Sequence, residues 1–258
     1  MSKENRKSWR QLFYRREGIY FLLGLLGIWY AFSAFGWHSN YLFPTPLCVL
    51  KAFRDSLPEL LKGTWASFVI LAPAYLLAVV SGISLGLVAG TTPWLARMLS
   101  PFTRVASPVP PNVYIPYAIA MLPGFQAAAG FVIFIAAFWP IFLNSVSGAQ
   151  SMPARYWDNA RIIGIGKFEF LWRITLRAAM PHIFSGMAVG LALSFIMLTV
   201  AELFGASSGL GRFVQYYADY ADYPRMVAGI IYTGGVAFLS MELLDFVKRK
   251  SLFWTKAN

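Results

Sequence analysis

Charged side chains divide this sequence into long uncharged stretches. With His38 neutral, no charge falls within residues 18–50, 63–96, 105–154, 178–201 or 226–241. Hydrocarbon excludes ionised groups, and a helix needs about 20 apolar residues to cross it, so these stretches predict membrane spans. The stretch 105–154 is too long for one helix and is divided by the turn signal Leu122-Pro123-Gly124-Phe125. The pattern predicts six helices, near 18–36, 64–90, 100–122, 127–148, 180–202 and 226–247. Pro108, Pro110, Pro111 and Pro116 crowd the first half of the third, and a broken helix at membrane depth must be buried in protein or line a cavity. The basic stretch before the first run resembles a signal peptide, with Ala31 and Ser33 small enough for cleavage. The run 18–36 is nevertheless long enough to span, which favours a retained first helix.

Composition agrees. Of 258 residues, 58% are hydrophobic, 17% aromatic and only 13% charged. Soluble domains carry roughly 45–50% apolar and about 25% charged residues. Disorder is excluded by the apolar content, and a disulfide scaffold by Cys48 being the only cysteine. The class is an all-α integral membrane protein. Its net charge of +11 invites a nucleic-acid reading, but the charges lie at one side. With a cytoplasmic amino terminus, only Lys51, Arg54, Lys62, Arg212 and Arg225 of the 22 basic residues fall outside. That bias is the positive-inside pattern, with both termini cytoplasmic, and it needs no nucleic acid.

The spans are poor in chemistry. Proton- or sodium-coupled carriers usually need ionisable groups at membrane depth, and the nearest here is Glu202, at the outer end of helix five. Gly166-Lys167 is followed by Phe168, and Arg161 stands where a P-loop needs its first glycine. His38, His182 and Cys48 form no metal-ligand spacing, and no catalytic residue or nucleophilic grouping is evident. Uphill transport would therefore draw its energy from another subunit. Gly82, Gly86 and Gly90 recur every four residues on helix two, as Gly186 and Gly190 do on helix five. Such spacing lets helices approach closely, and internal packing is favoured over a dimer seam.

The inside loop 148–181 has internal structure. Ser151 is expected to cap a helix that begins at Met152-Pro153 and stops at Gly164. A second helix, 167–177, is expected to group Phe168, Leu171, Trp172 and Leu176 on one face. Two short amphipathic helices joined by a glycine turn make a docking platform. The competing reading is a pair of helices lying in the lipid interface.

This loop resembles the cytoplasmic signature of the membrane subunits of binding-protein-dependent ABC importers: E-A-A, three residues, Gly, nine residues, I-x-L-P. The chain reads Asp158-Asn159-Ala160, Gly164, then Ile174-Thr175-Leu176-Arg177, with the spacing kept. Asp replaces Glu, Asn replaces Ala, and Arg177 stands at the proline position. Leu42-Phe43-Pro44-Thr45-Pro46, Pro108-Val109-Pro110-Pro111 with Ile115-Pro116, and Ala201-Glu202-Leu203-Phe204-Gly205-Ala206-Ser207-Ser208-Gly209-Leu210-Gly211 look like the nitrate/sulfonate/taurine branch. The usual F-G-I-G-E between helices three and four is replaced by Leu122-Pro123-Gly124-Phe125-Gln126.

The resemblance implies a type I ABC importer permease fold in a bacterial inner membrane. It implies a basic cytoplasmic tail (1–17), a first helix with its outer connection (18–63), a permease core (64–250) holding the coupling loop (150–178), and a second tail (251–258). Asp158, Asn159, Ala160, Gly164, Ile174 and Leu176 would meet a cytoplasmic ATPase, which binds ATP and Mg; this chain would hold no cofactor and no metal. An extracytoplasmic solute-binding protein and a second permease copy complete the expected assembly, carrying a small anion such as a sulfonate or nitrate. A self-sufficient channel or carrier is the alternative; a membrane enzyme would have only Glu202, Asp219 and Asp222 to work with. At the outer end, Gly205, Ser207, Ser208 and Gly209 are too flexible to continue a helix. The segment is expected to fold back and narrow the pathway, with Glu202 accepting hydrogen bonds from its backbone, against the alternative of an ordinary solvated loop.

Overall fold

A computed structural model describes residues 20–21, 23–33 and 42–253. The expected tail 1–17 and residues 254–258 of the expected tail 251–258 lie outside the described residues, as do the ends of the first predicted span. The described elements are helical. They run α1 (Leu23–Ser33), α2 (Pro46–Thr91), α3 (Pro93–Ala106), a 3₁₀ turn (Pro111–Tyr114), α4 (Ile115–Met121), α5 (Phe125–Gln150) and α6 (Ala154–Ile163). Then come α7 (Lys167–Glu169), a π-helical segment (Phe170–Thr175), α8 (Leu176–Gly205), α9 (Leu210–Asp219) and α10 (Tyr223–Ser251). Among the described residues, four helices are long and apolar enough to cross a membrane: α2, α5, the continuous rod Lys167–Gly205 and α10.

Three boundaries differ from the sequence expectation. Helix two begins at Pro46, not near 64, and its 46 residues reach about 69 Å at 1.5 Å per residue. The charges of its first part did not stop it, because they fall on one face. Lys51, Arg54, Asp55, Glu59 and Lys62 are exposed or half-buried, while Val49, Ser56, Leu60, Gly63, Ser67 and Ile70 are buried at helical spacing. The span expected at 100–122 is not one helix but α3, the 3₁₀ turn and α4. Proline supplies no N–H and clashes with the preceding turn, so the helix stops before Pro108 and restarts after Pro110 and Pro111. The loop helix expected to end at Arg177 continues as far as Gly205. Pro181 does not break it. The turn at Leu122-Pro123-Gly124 is present, with Gly124 at φ +87°.

The chain forms two compact units. In the first (Met1–Glu59 with Val214–Ile231), the Trp29 indole donates to the Pro44 carbonyl at 3.2 Å, and the Ser33 hydroxyl to that of Phe43 at 3.0 Å. The Tyr217 hydroxyl donates to the Glu59 carboxylate at 2.9 Å. In the second (Leu60–Phe213 with Tyr232–Asn258), the core lies between α5 and α8. Val132, Ile133 and Ala136 of α5 meet Leu198 and Ala201 of α8, joined by Leu71 of α2 and by Ile115 and Ala118 of α4. Small residues set the spacing. A Cβ on Gly86 would strike Ser145, and one on Gly82 would lie 2.9 Å from Ile141. Gly90 faces Ala149 in the same way, and Gly186 and Gly190 face the backbone of α5 at Pro140 and Ala137. All five glycines thus seat their helices against α5. Hydroxyls inside the helices turn back to the preceding carbonyls, as Ser145 does to Ile141 (2.7 Å) and Ser194 to Gly190 (2.8 Å). No buried side-chain polar atom among the described residues lacks a partner, as burial away from water requires.

Candidate functional site

Two places in the second unit bring the singled-out residues together. The first is the turn around α6. Ser151 does not cap this helix: its Oγ donates to the Gly148 carbonyl (2.9 Å) at the end of α5, and Pro153 precedes the first turn. A hydroxyl within reach of the preceding helix closed that helix instead. The stop at Gly164 has φ +75°, where a Cβ would crowd the carbonyl. Gly164 N bonds to Arg161 O (3.2 Å) and Ile165 N to Ala160 O (3.0 Å), the paired closure of a Schellman motif. Ala160, Met152 and Phe170 are buried together, packed by Trp157, Ile165 and Ile174. The Trp157 and Phe170 rings lie 4.4 Å apart between centroids.

The face expected from Phe168, Leu171, Trp172 and Leu176 is only partly buried: Leu171 and Leu176 pack against Leu87, Ala149, Ala179 and Ile183, while Trp172 stays exposed. Phe168 is exposed, whereas Phe170 and Thr175 are buried. The π-helical segment inserts a residue into the register, and the Thr175 hydroxyl bonds five residues back to Phe170 O at 3.3 Å. Asp158 and Asn159 are exposed on the outer side of α6, Ala160 and Ile174 hold it from beneath, and Leu176 is half-buried. Ile162 and Ile163 are 83% and 73% exposed, an apolar tip that sequence reasoning left out. Its signal was two adjacent isoleucines ending a helix otherwise polar at its surface.

The second place is the turn after α8. Glu202 is 0% exposed, so it is not a solvated boundary residue. Its Oε1 accepts the Ser67 hydroxyl at 2.5 Å, and its Oε2 accepts Gly211 N–H at 2.6 Å. Ser67 Oγ accepts in turn from Leu210 N–H at 3.0 Å. One carboxylate and one hydroxyl thus satisfy the backbone at the start of α9 and tie it to α2. The approach is close. Gly209 has φ +151°, and a Cβ there would collide with the Glu202 carboxylate; on Gly63 it would lie 3.3 Å from the Gly209 backbone. Ser67 was missed by sequence reasoning, since one serine in an apolar span carries no local signal. Gly205 and Ser207 are exposed and Ser208 half-buried. They line a cavity of ≈ 510 Å³ with Gln126 and Gly124 of the α4–α5 turn and Ile70 of α2. The lining is mixed, apolar at Val69, Ile70 and Phe125 and polar at Gln126, Ser207 and Ser208, and it carries no charged side chain. Asp219 and Asp222 belong to the first unit, where they engage Gln215 (2.7 Å) and Arg225 (3.3 Å).

Long apolar helices, a short helix presented on a left-handed glycine stop and a turn pinned by a buried carboxylate describe a transport permease. The chain belongs to the binding-protein-dependent transport system inner membrane component family, which it matches over residues 82–251. Among its relatives, it is 32% identical to the nitrate import permease protein NrtB of Leptolyngbya laminosa. That alignment covers 70% of this chain and spans 65% of that protein's length. It is 31% identical to the bicarbonate transport system permease protein CmpB of Synechococcus elongatus, over 94% of this chain and 92% of that one. The taurine transport system permease protein TauC of Escherichia coli is 27% identical over 89% and 86%. A solved structure of the MetNI methionine ABC transporter in an inward-facing conformation shares the fold. Its TM-score is 0.64 at 16% identity, covering 76% of this chain and 98% of that one.

Proposed function

We propose that this chain is the membrane-spanning subunit of an ABC importer for a small anion, of the kind its nitrate, bicarbonate and taurine relatives are named for. The observation that carries the reading is the α6 platform. Asp158, Asn159, Ile162 and Ile163 are exposed on a helix fixed by Gly164 and by the core under Ala160. A rigid, exposed tip with both charge and apolar area suits insertion into a groove of a separate cytoplasmic ATPase, where ATP and Mg are bound. In this reading there are six crossings. The segments from α3 to α4 together make the third, residues 18–36 make the first, and both termini are cytoplasmic by the basic bias. The domain limits 1–17, 18–63, 64–250 and 251–258 follow, in a bacterial inner membrane. Two copies form the pathway, because one copy has too few crossings to enclose it, and a solute-binding protein delivers the anion outside. The turn held by Glu202, with Gly205, Ser207, Ser208 and Gly209, closes the outer mouth. The uncharged lining there suits an anion that must be released, since a fixed cation would hold it.

The test is coexpression with the neighbouring ATPase and binding protein. Uptake that needs ATP and all three components supports the reading; uptake by the permease alone overturns it. Calorimetry on the binding protein with nitrate, bicarbonate and taurine names the anion.

A further inference from the structure

The inner end of the second unit holds a second cavity, which meets α6 at Trp157, Ala160 and Arg161 and leaves its exposed tip aside. It measures ≈ 780 Å³ and lies between the end of α2, the start of α3 and the α6–α8 turn. Its walls are of two kinds. Trp94, Phe168 and Leu171 give apolar area, and Trp94 and Phe168 are 60% and 77% exposed. Arg161 and Lys167 give positive charge. Neither cation has an ion-pair or hydrogen-bond partner among the described residues. The carboxylate nearest in sequence to Lys167, Glu169, is engaged by Arg173 at 2.7 Å.

We propose that this cavity binds an anionic phospholipid, its phosphate held by Arg161 and Lys167 and its acyl chains laid against Trp94, Phe168 and Leu171. The chemistry requires a ligand with both ends. A free inorganic anion would leave the aromatic wall facing water, and a neutral lipid would leave both cations unpaired. The location fits: α2 leaves its apolar run at Thr91, so the cavity stands at the hydrocarbon boundary, where exposed tryptophan is at home. On the cytoplasmic side that boundary carries anionic lipid, and basic pockets between helices take its head groups. The docking tip of Asp158, Asn159, Ile162 and Ile163 is made of other residues of α6, so an ATPase and a lipid need not compete. The proposal rests on the inside orientation given above.

The test uses the whole transporter, purified in mild detergent and examined by native mass spectrometry after exchange into mixed phosphatidylglycerol and phosphatidylcholine. Wild type is expected to retain phosphatidylglycerol in preference to phosphatidylcholine. R161Q/K167Q should need roughly 30-fold more phosphatidylglycerol for the same occupancy, from about 1 kcal/mol per basic residue near the membrane. R161K/K167R, which keeps the charges, should remain within about threefold of wild type. Equal retention of the two lipids by wild type, or unchanged retention by R161Q/K167Q, overturns the proposal. Displacement of the lipid by inorganic phosphate alone overturns it too, since the acyl contacts would then contribute nothing. Orientation is read separately by labelling N159C from each side of sealed vesicles. Outside labelling overturns the orientation and, with it, the assignment of the cavity to the cytoplasmic leaflet, whereas the lipid counts test the binding itself.

Discussion

Replacing Glu202 with alanine should loosen the outer turn and release ATP hydrolysis from substrate control. The carboxylate is fully buried and accepts hydrogen bonds from Ser67 Oγ and Gly211 N, among others. Alanine leaves both donors facing an apolar void, and each unsatisfied buried group costs about 1–3 kcal/mol. The smaller limit for the pair, about 2 kcal/mol, corresponds to roughly 30-fold in the balance between pinned and released turn. Glutamine should be milder. Its oxygen still accepts from Gly211 N, and its amide fills the space and donates to Ser67 Oγ, leaving the serine proton and the second amide hydrogen without an acceptor. Ser67→Ala breaks the same connection from α2 and strands Leu210 N–H. The two alanine changes should therefore fall short of additivity when combined. The assay is basal ATP hydrolysis by the reconstituted complex without binding protein, beside uptake with it. Basal hydrolysis should rise severalfold or more in Glu202→Ala and less in Glu202→Gln, with ATPase still bound. Wild-type basal hydrolysis together with wild-type uptake in Glu202→Ala would refute the reasoning.

Gly209→Ala should reproduce the Glu202→Ala phenotype, since its Cβ collides with the carboxylate; basal hydrolysis checks this. Gly164→Val should uncouple hydrolysis from uptake at normal membrane levels, because the left-handed stop costs a non-glycine residue about 1–2 kcal/mol and a β-branched one more. Asp158→Lys reverses the charge on the exposed face of α6 and should lower ATPase copurification at least tenfold, read from the subunit ratio on gels. Gly86→Leu drives a side chain into Ser145 and the Phe142 carbonyl, and should deplete folded permease from the membrane, measured by immunoblot and detergent-resistant size. Mass measurement of the purified complex should give two permeases to two ATPases, and one permease to two ATPases would rule out the dimer.

Charge exclusion and turn chemistry are local, and the sequence carried them unaided. The uncharged runs marked where apolar helices lie, Pro123-Gly124 marked the break before α5, and Gly164 marked the end of α6. Each of those outcomes depends on a few adjacent residues and on the solvent around them. Register and partnership are not local, and only the tertiary structure decided them. Ser67 meets Glu202 across 135 residues of sequence because Gly63 of α2 and Gly209 of the turn after α8 leave room for a close approach. The π-helical segment rotates Phe170 and Thr175 inward, against the face that 3.6-residue spacing gives, because packing under α6 outweighs regular hydrogen bonding. Ser151 had two helices within reach and closed the earlier one. Charged residues of α2 stayed helical because burial of Val49, Ser56 and Leu60 fixed which side faces outward. A hydrogen bond or a buried face has a second participant, and its position is set by the fold of the whole chain.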